Sequence, residues 1–569
     1  AAPSADGTEA KGVAQPSGDE AVDGDGIAPV AEDETKYDIH SGGELASKLK
    51  DKSLRNEKGA ATFKLVADIE CNDEVKLEQN NENLIDVVLD LNGHKIKHSS
   101  ADKPLFDVAN GAALTIKDSV QTEEKVSNGQ QLNDQGQNLT RANYGKEAKL
   151  SYDNDGIPTY LSYYVTESSP EGTGTTESLV EHGIDIKGKG DIKDKGAIVA
   201  CDGSNRLKLI NIYNGGNFNL ESGVLTQKKD CSVRNLVYAE NGSTVNMNGG
   251  YVCGGYCPDN AAGAGISVVD NSTLSISNGV IAGNRAPSGG GVYANGAAVT
   301  VTGGIISGNS TLDVGLGGGI RAEGGIVTVS GGYITNNRMA KFCKIEGSGC
   351  HGGAGLAADK GAHVTISDGQ ITGNYSDEAG GGVYVTDQWR DGSRKDMAWL
   401  KITGGIIASN VSFRSEGAGI RVGQKVDAMI GDTSDNNDTP GSKVYITNNR
   451  CMSRFDWGGG GVFVQGDSDN ADNAGRLFVY NSYISSNTAG GYGGGVAVCP
   501  TGKTLVTNTK GTAIFGNSSA EDDYDGDDHP DHPNDPNKKH AYNSMKNSGN
   551  DVLPHLSGGG IADTDKTED

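Results

Sequence analysis

The sequence predicts an all-β fold: a right-handed parallel β-helix with three strands per coil and about ten or more coils. One phrase carries the prediction. From about Asn217 onward an alternating strand is followed by Ile-x-x-Asn, and then by Gly-Gly-Gly leading into Val-x-Val or Ile-x-Ala, as in HVTISDGQITGNYSDEAGGGVYVTD. Its Ile–Asn element recurs at Ile281/Asn284, Ile306/Asn309, Ile334/Asn337, Ile371/Asn374, Ile407/Asn410, Ile446/Asn449, Ile484/Asn487 and Ile514/Asn517. A second observation is the glycine content, 86 of 569 residues, roughly twice ordinary usage. Proline numbers only 14 and no Gly-x-y period runs through the chain, so collagen is excluded. A coil alone buries little, whereas stacked coils bury a continuous column of Ile and Val. At about 4.8 Å per coil each Asn falls above the last and can form an amide ladder. Glycine serves corners where φ is positive or backbones approach closely. The Asn residues and most glycines are therefore read as architecture.

The other segments follow in chain order. Residues 1–35 are small, acidic and punctuated by proline, and read as a solvated tether of a mature secreted or trimmed chain. Residues 36–205 hold an N-terminal cap and the first coils. Ser41-Gly-Gly-Glu44 before ELASKLKDK predicts a capping box and a short helix closing the end of the solenoid. Less regular strands follow (ATFKLVADI, NLIDVVLDLNGHKI, ALTIKDS), and a polar insertion near 120–195, with a Tyr-rich TYLSYYVTES, reads as a lid or a small subdomain. Residues 206–517 are the regular β-helix with the active-site loops. Residues 518–569 form an acidic tail whose Asp/His tract reads as solvated, with divalent-ion binding as the alternative.

Composition narrows the function. Lys and Arg total 49 against 75 Asp and Glu, a net charge of −26, which argues against nucleic acid as a partner because phosphate contacts need clustered cations. No run of 18 apolar residues occurs, so no membrane span is expected in this stretch of chain. Nine cysteines are few and odd in number; Cys253 with Cys257, and Cys343 with Cys350, are close enough for local disulfides.

Corresponding loops of a solenoid are neighbours in space. The segment between the ladder Asn and the Gly-Gly-Gly is short in the coil of Asn284 (RAPS). It becomes acidic, aromatic or Arg-bearing in four later coils: RMAKFCKIEGSGCH, YSDEA, VSFRSE and RCMSRFDWG. Rings beside carboxylates and Arg suit a carbohydrate groove. Asp377 and Asp456 each lie three residues before their glycines, and Glu416 lies in the coil between. Carboxylates one coil apart would stand roughly 5 Å apart and those two coils apart roughly 10 Å, the spacings of retaining and inverting glycosidases. The loop after strand VYV adds Asp387, Trp389, Arg390, Asp391 and Asp396. The expected catalytic pair is Asp377 and Asp387, with Tyr375, Trp389, Arg390, Asp391, Arg414, Glu416, Asp456 and Trp457 binding substrate. Plainer roles stand beside these: a turn residue for Asp387, a loop cap or a Ca2+ ligand with Glu378 for Asp377, packing for Trp457, and surface positions for His182 and His351.

The Ile-x-x-Asn and Gly-Gly-Gly-Val phrasing, reached through LDLNGHKI, resembles the catalytic domain of the β-helix lacto-N-biosidases of infant-gut bifidobacteria over roughly residues 36–517. The resemblance implies an extracellular, secreted or surface-anchored retaining glycoside hydrolase that releases lacto-N-biose (Gal-β1,3-GlcNAc) from lacto-N-tetraose. Two aspartates in a mid-solenoid coil would act as nucleophile and general acid/base, matched here by Asp377 and Asp387. It implies no required cofactor, leaves room for a structural Ca2+, and brings in a dedicated folding chaperone used by some of the wider family. A monomer is expected. Adhesins share this repeat style, and polysaccharide lyases with Ca2+ and a Lys or Arg base share the fold, so a non-enzymatic adhesin and, behind it, a lyase are the alternatives.

Overall fold

The structure, a computed structural model, describes residues 34–132, 143–171, 174–202, 206–259, 261–312, 315–339, 352–431, 444–453, 458–491, 493–499, 501–506, 513–519 and 559–561. Residues 1–36 and 37–569 group as two units, and the second carries everything described below.

The parallel β-helix forms as the phrase predicts. A 23-stranded sheet holds the first two faces of each coil, and a 13-stranded sheet holds the third. In the second face Ile281, Ile306, Ile334, Ile371, Ile407, Ile446, Ile484 and Ile514 pair in parallel register from coil to coil. All eight are at most 1% exposed. Each contributes about 1.5–3 kcal/mol of burial that a single coil could not supply.

The Asn of the phrase turns the next corner. Asn374 Nδ2 donates to Ile334 O at 2.9 Å and to Asn410 Oδ1 at 2.9 Å, and its backbone N–H donates to the same Oδ1 at 3.1 Å. Asn410 repeats the pattern onto Asn449, and the ladder runs on through Asn487 to Asn517. The Gly-Gly-Gly follows from this ladder. A Cβ on Gly382 would lie 2.6 Å from Gly419 O and 2.9 Å from Asn410 Nδ2, so only glycine passes there. Pinning the backbone also aligns the two residues after each Asn. From Arg285–Ala286 to Ser518–Ser519 they form a short fourth face, an 8-stranded parallel sheet that the three-strand expectation omits.

The N-terminal helix spans Gly42–Lys48, and Ser41 caps it by accepting from Glu44 N at 3.3 Å. The Glu44 carboxylate reaches back to His40 N at 3.0 Å, one residue earlier than a capping box requires. Leu45 and Leu49 join the solenoid core.

The insertion folds as a five-stranded antiparallel sheet built on the hairpin Pro158–Glu171 and Gly174–Asp185. It docks along the corners that follow the second face. Gly145 N donates to Gly373 O at 2.7 Å and Ala148 N to Gly308 O at 3.3 Å. Ser307 Oγ donates to Tyr164 O at 2.5 Å, Thr166 N to Thr335 Oγ1 at 3.1 Å, and Ser168 N to Gln370 Oε1 at 3.1 Å. Gly373 permits this contact: its φ is +65° and a Cβ there would stand 2.2 Å from Thr166 Oγ1.

Two expectations change. Cys253 and Cys257 are buried thiols, not a disulfide, because the chain turns between them and places each in a different apolar cluster. In the tail, Gly559–Ile561 pairs antiparallel with Val496–Val498, closing an edge of the third face. Cys343, Cys350, His351, most of the first 35 residues and the Asp/His tract lie outside the described residues.

Candidate functional site

Three carboxylates are carried by two stacked loops where the short fourth face passes into the third. Strand Tyr375–Ser376 pairs with Val411–Ser412, which puts the loop after Ser376 against the loop after Ser412. Phe413 N donates to Ser376 O at 2.9 Å, and Gly380 N donates to Glu416 O at 3.0 Å. Asp377, Glu378 and Glu416 are 4%, 5% and 6% exposed. Asp377 N donates to Met339 O at 3.2 Å, and Glu378 N to Ser376 Oγ at 3.2 Å. Glu416 Oε2 accepts from Arg421 Nε at 3.3 Å and from Ser415 Oγ.

Arg421 is 1% exposed on the outer side of the third face, between its register partners Tyr384 and Phe463. Its guanidinium lies 4.8 Å from the Tyr384 ring centroid and 5.9 Å from that of Phe463. This cation and its two rings were missed from the sequence, because Tyr384, Arg421 and Phe463 each occupy the middle of an unremarkable V-x-V or I-x-V strand. Only the coil register aligns them.

Asp387 lies elsewhere. Strand Val383–Val385, about 10 Å of extended chain, separates its corner from that of Asp377. Asp387 Oδ2 accepts from Gly361 N at 3.0 Å and Ala398 N at 2.6 Å, and Arg390 Nη1 stands 3.3 Å away. The side chain therefore pins the loop 387–398 onto the preceding coil, which is the turn role. The pairing of Asp377 with Asp387 as nucleophile and acid/base is corrected accordingly, since a retaining pair needs about 5–5.5 Å. One coil earlier, burial pushes the Asp359 carboxyl up to about 6, although Arg321 Nη2 is 2.8 Å from its Oδ2.

The remaining expected substrate-binding residues divide. Tyr375 is 3% exposed and packs with Tyr144, Tyr164 and Leu179 of the insertion, so it anchors the insertion and offers no sugar platform. Trp389 is 51% exposed, Asp391 is exposed with Lys425 Nζ 4.0 Å away, and Arg390 is held by Asp387 and Asp396 O at 3.0 Å; all three stand on the Asp387 side. Arg414 is exposed beside the acidic corner, its guanidinium 5.7 Å from the ring of Phe413, an exposed aromatic absent from the expected set. Asp456 and Trp457 lie outside the described residues, as do segments 340–351 and 454–457 that flank the corner in sequence. Among the described residues no group of three or more His, Cys, Asp or Glu could hold a metal ion. No helix is long and apolar enough to cross a membrane among them.

The arrangement offers two carboxylate-bearing loops one coil apart, one of whose carboxylates faces a buried guanidinium, with Phe413 and Arg414 outside. Comparison with protein-family models, curated proteins and solved structures returned no match.

Proposed function

We propose that the chain is an extracellular glycoside hydrolase working at the acidic corner, with Asp377 and Glu416 as its carboxylate pair and an oligosaccharide as substrate. The observation that carries the reading is the direct bonding of the two carboxylate-bearing loops, Gly380 N to Glu416 O at 3.0 Å, which stacks the loops one coil apart. One coil is about 4.8 Å, close to the separation a retaining mechanism uses. Glu416, opposite Arg421, is the nucleophile of this scheme, and Asp377 is the acid that protonates the leaving oxygen and then activates water. Phe413 and Arg414 at the rim supply a ring for a pyranose face and donors for hydroxyls. Lacto-N-biose release from lacto-N-tetraose is the specific activity proposed, on the resemblance of the repeat phrase.

The test is hydrolysis of an aryl β-lacto-N-bioside by Asp377→Asn, Glu416→Gln and Glu416→Ala. Loss of about a thousandfold in kcat for the two amide variants, with azide restoring turnover in Glu416→Ala as a glycosyl azide, is the expected result. Wild-type rates in Asp377→Asn and Glu416→Gln would sink the assignment. The burial of all three carboxylates favours a second reading, a glycan-binding adhesin without turnover. It predicts glycan affinity with no product released by the wild type.

A further inference from the structure

A cleft opens where the insertion meets the earlier coils, about three coils before the acidic corner. It has a volume of about 680 Å3, within the ~300–1,000 Å3 common for small-molecule sites. One wall is the insertion, with Leu150, Tyr152 and Leu161. The other is three successive coil corners that contribute Lys228, Lys229, Tyr256 and Arg285.

The charge of this cleft opposes that of the chain. Lys228, Lys229 and Arg285 line it against one carboxylate, Asp230, in a protein of net charge −26. Among the described residues none of the three cations forms an ion pair. Two buried cations of the later coils, by contrast, are matched: Arg421 by Glu416, and Arg321 by Asp359 and Glu323. The uncompensated cations are also held in place. Gln227 donates from Nε2 to Cys231 O at 2.6 Å and accepts from Tyr256 N at 3.0 Å, which ties the lysine loop to the next corner. Lys229 N donates to Gly156 O at 2.9 Å, so a turn of the insertion fixes the same loop from the other side. The Arg285 guanidinium lies 5.8 Å from the Tyr256 ring centroid, and Tyr152 and Tyr256 are both half-buried.

Cations with no carboxylate partner among the described residues, two half-buried tyrosine rings and apolar walls recognise a ligand that carries an anion on a ring with an apolar face. We propose that the cleft binds an anionic saccharide, a pyranose bearing a carboxylate or a sulfate ester. Lys228, Lys229 and Arg285 take the anion, and the rings of Tyr152 and Tyr256 take the sugar faces. The site does not depend on hydrolysis at the acidic corner, and its test reads binding alone.

The experiment is calorimetric titration of the full chain with methyl β-glucuronide, N-acetylglucosamine 6-sulfate, neutral N-acetylglucosamine and inorganic sulfate. At least one charged sugar should bind tenfold or more tighter than the neutral one, weakening as salt rises. Whether glucuronide or sulfated sugar binds tighter separates carboxylate from sulfate ester. Arg285→Gln and the double variant Lys228→Ala/Lys229→Ala should each lose about tenfold in affinity, and Tyr256→Ala should lose the sugar while keeping the response to salt. All are partly exposed side chains, and an unchanged melting temperature checks that the cleft still forms. Equal binding of neutral and charged sugars, or unchanged affinity in the cation variants, would overturn the proposal. Inorganic sulfate binding as tightly as the sulfated sugar would overturn its saccharide part.

Discussion

The acidic corner and the cationic cleft lie about three coils apart, on loops that leave the solenoid at related corners, and they treat charge in opposite ways. At the corner, Asp377, Glu378 and Glu416 are buried and Glu416 meets a guanidinium held between two rings. In the cleft, Lys228, Lys229 and Arg285 face a cavity and pair with no carboxylate among the described residues. The acidic cluster stands out in the sequence, yet part of its charge is spent within the fold. The cations, thinly scattered in the sequence, are the charges left open to a ligand. Charge count alone does not locate a site; the presence or absence of a partner does.

The largest expected effect would break the claim that Arg421 and Glu416 form a buried structural pair. Removing one partner of such a pair leaves an uncompensated charge and costs about 3–5 kcal/mol. Arg421→Met should lower the melting temperature accordingly, by chemical or thermal unfolding, and an unchanged midpoint would make the corner as open as the cleft. Asn374→Ala comes next. It removes the donor to Ile334 O and Asn410 Oδ1 and strands the Asn337 N–H and amide that it accepts, with about 1–3 kcal/mol for each buried group left unmade. Its loss should weaken the corner, which lies in the same coil, and spare affinity in the cleft, whose corners stack earlier in the solenoid.

A smaller effect concerns the insertion that roofs the cleft. Burial pushes the Glu177 carboxyl up from its ordinary 4.5 to about 7, with Arg450 Nη1 3.9 Å away. Between those values the folded chain keeps a proton that the unfolded chain has released. Stability from this group is therefore complete below about pH 4.5 and is lost as pH rises through 7, by up to about 1.4 kcal/mol per unit. Subtracting the pH profile of Glu177→Gln from that of the wild type should isolate this slope, and parallel profiles would refute it. The smallest effect is expected at Trp389, which is 51% exposed. Trp389→Ala should change stability by less than about 0.5 kcal/mol, and a larger loss would mean that its loop packs as tightly as the corner does.

Much of the fold was legible because it is local and repeated. The Ile–Asn phrase marks the strand, the ladder residue and the corner in every coil, and Ser41 with Glu44 marks the helix start. The candidate site was legible in part. Spacing from the glycines led to Asp377 and Asp456, with Glu416 in the coil between, because loop length in a solenoid translates into position in space. The resemblance linked Asp377 to Asp387, and nothing local says that the Asp387 carboxylate is taken up by Gly361 N and Ala398 N. Tyr375 read as a sugar platform because nothing local says that Tyr144 and Tyr164 of the insertion cover it. The cleft was not legible at all, since its walls come from residues near 150–161 and near 227–285, which meet only by docking.

By itself, then, the sequence determined what repeats: the coil, the asparagine ladder, the column of isoleucines and the glycines that let backbones pass. These depend on neighbours a fixed number of residues away, and stacking copies them faithfully. Tertiary structure alone decided where the insertion lies, which carboxylate pins a turn, and which charges find partners. Those outcomes depend on contacts between segments more than a hundred residues apart in the chain, such as Arg450 with Tyr144 and Thr335 with Thr166. No local pattern encodes a contact of that kind.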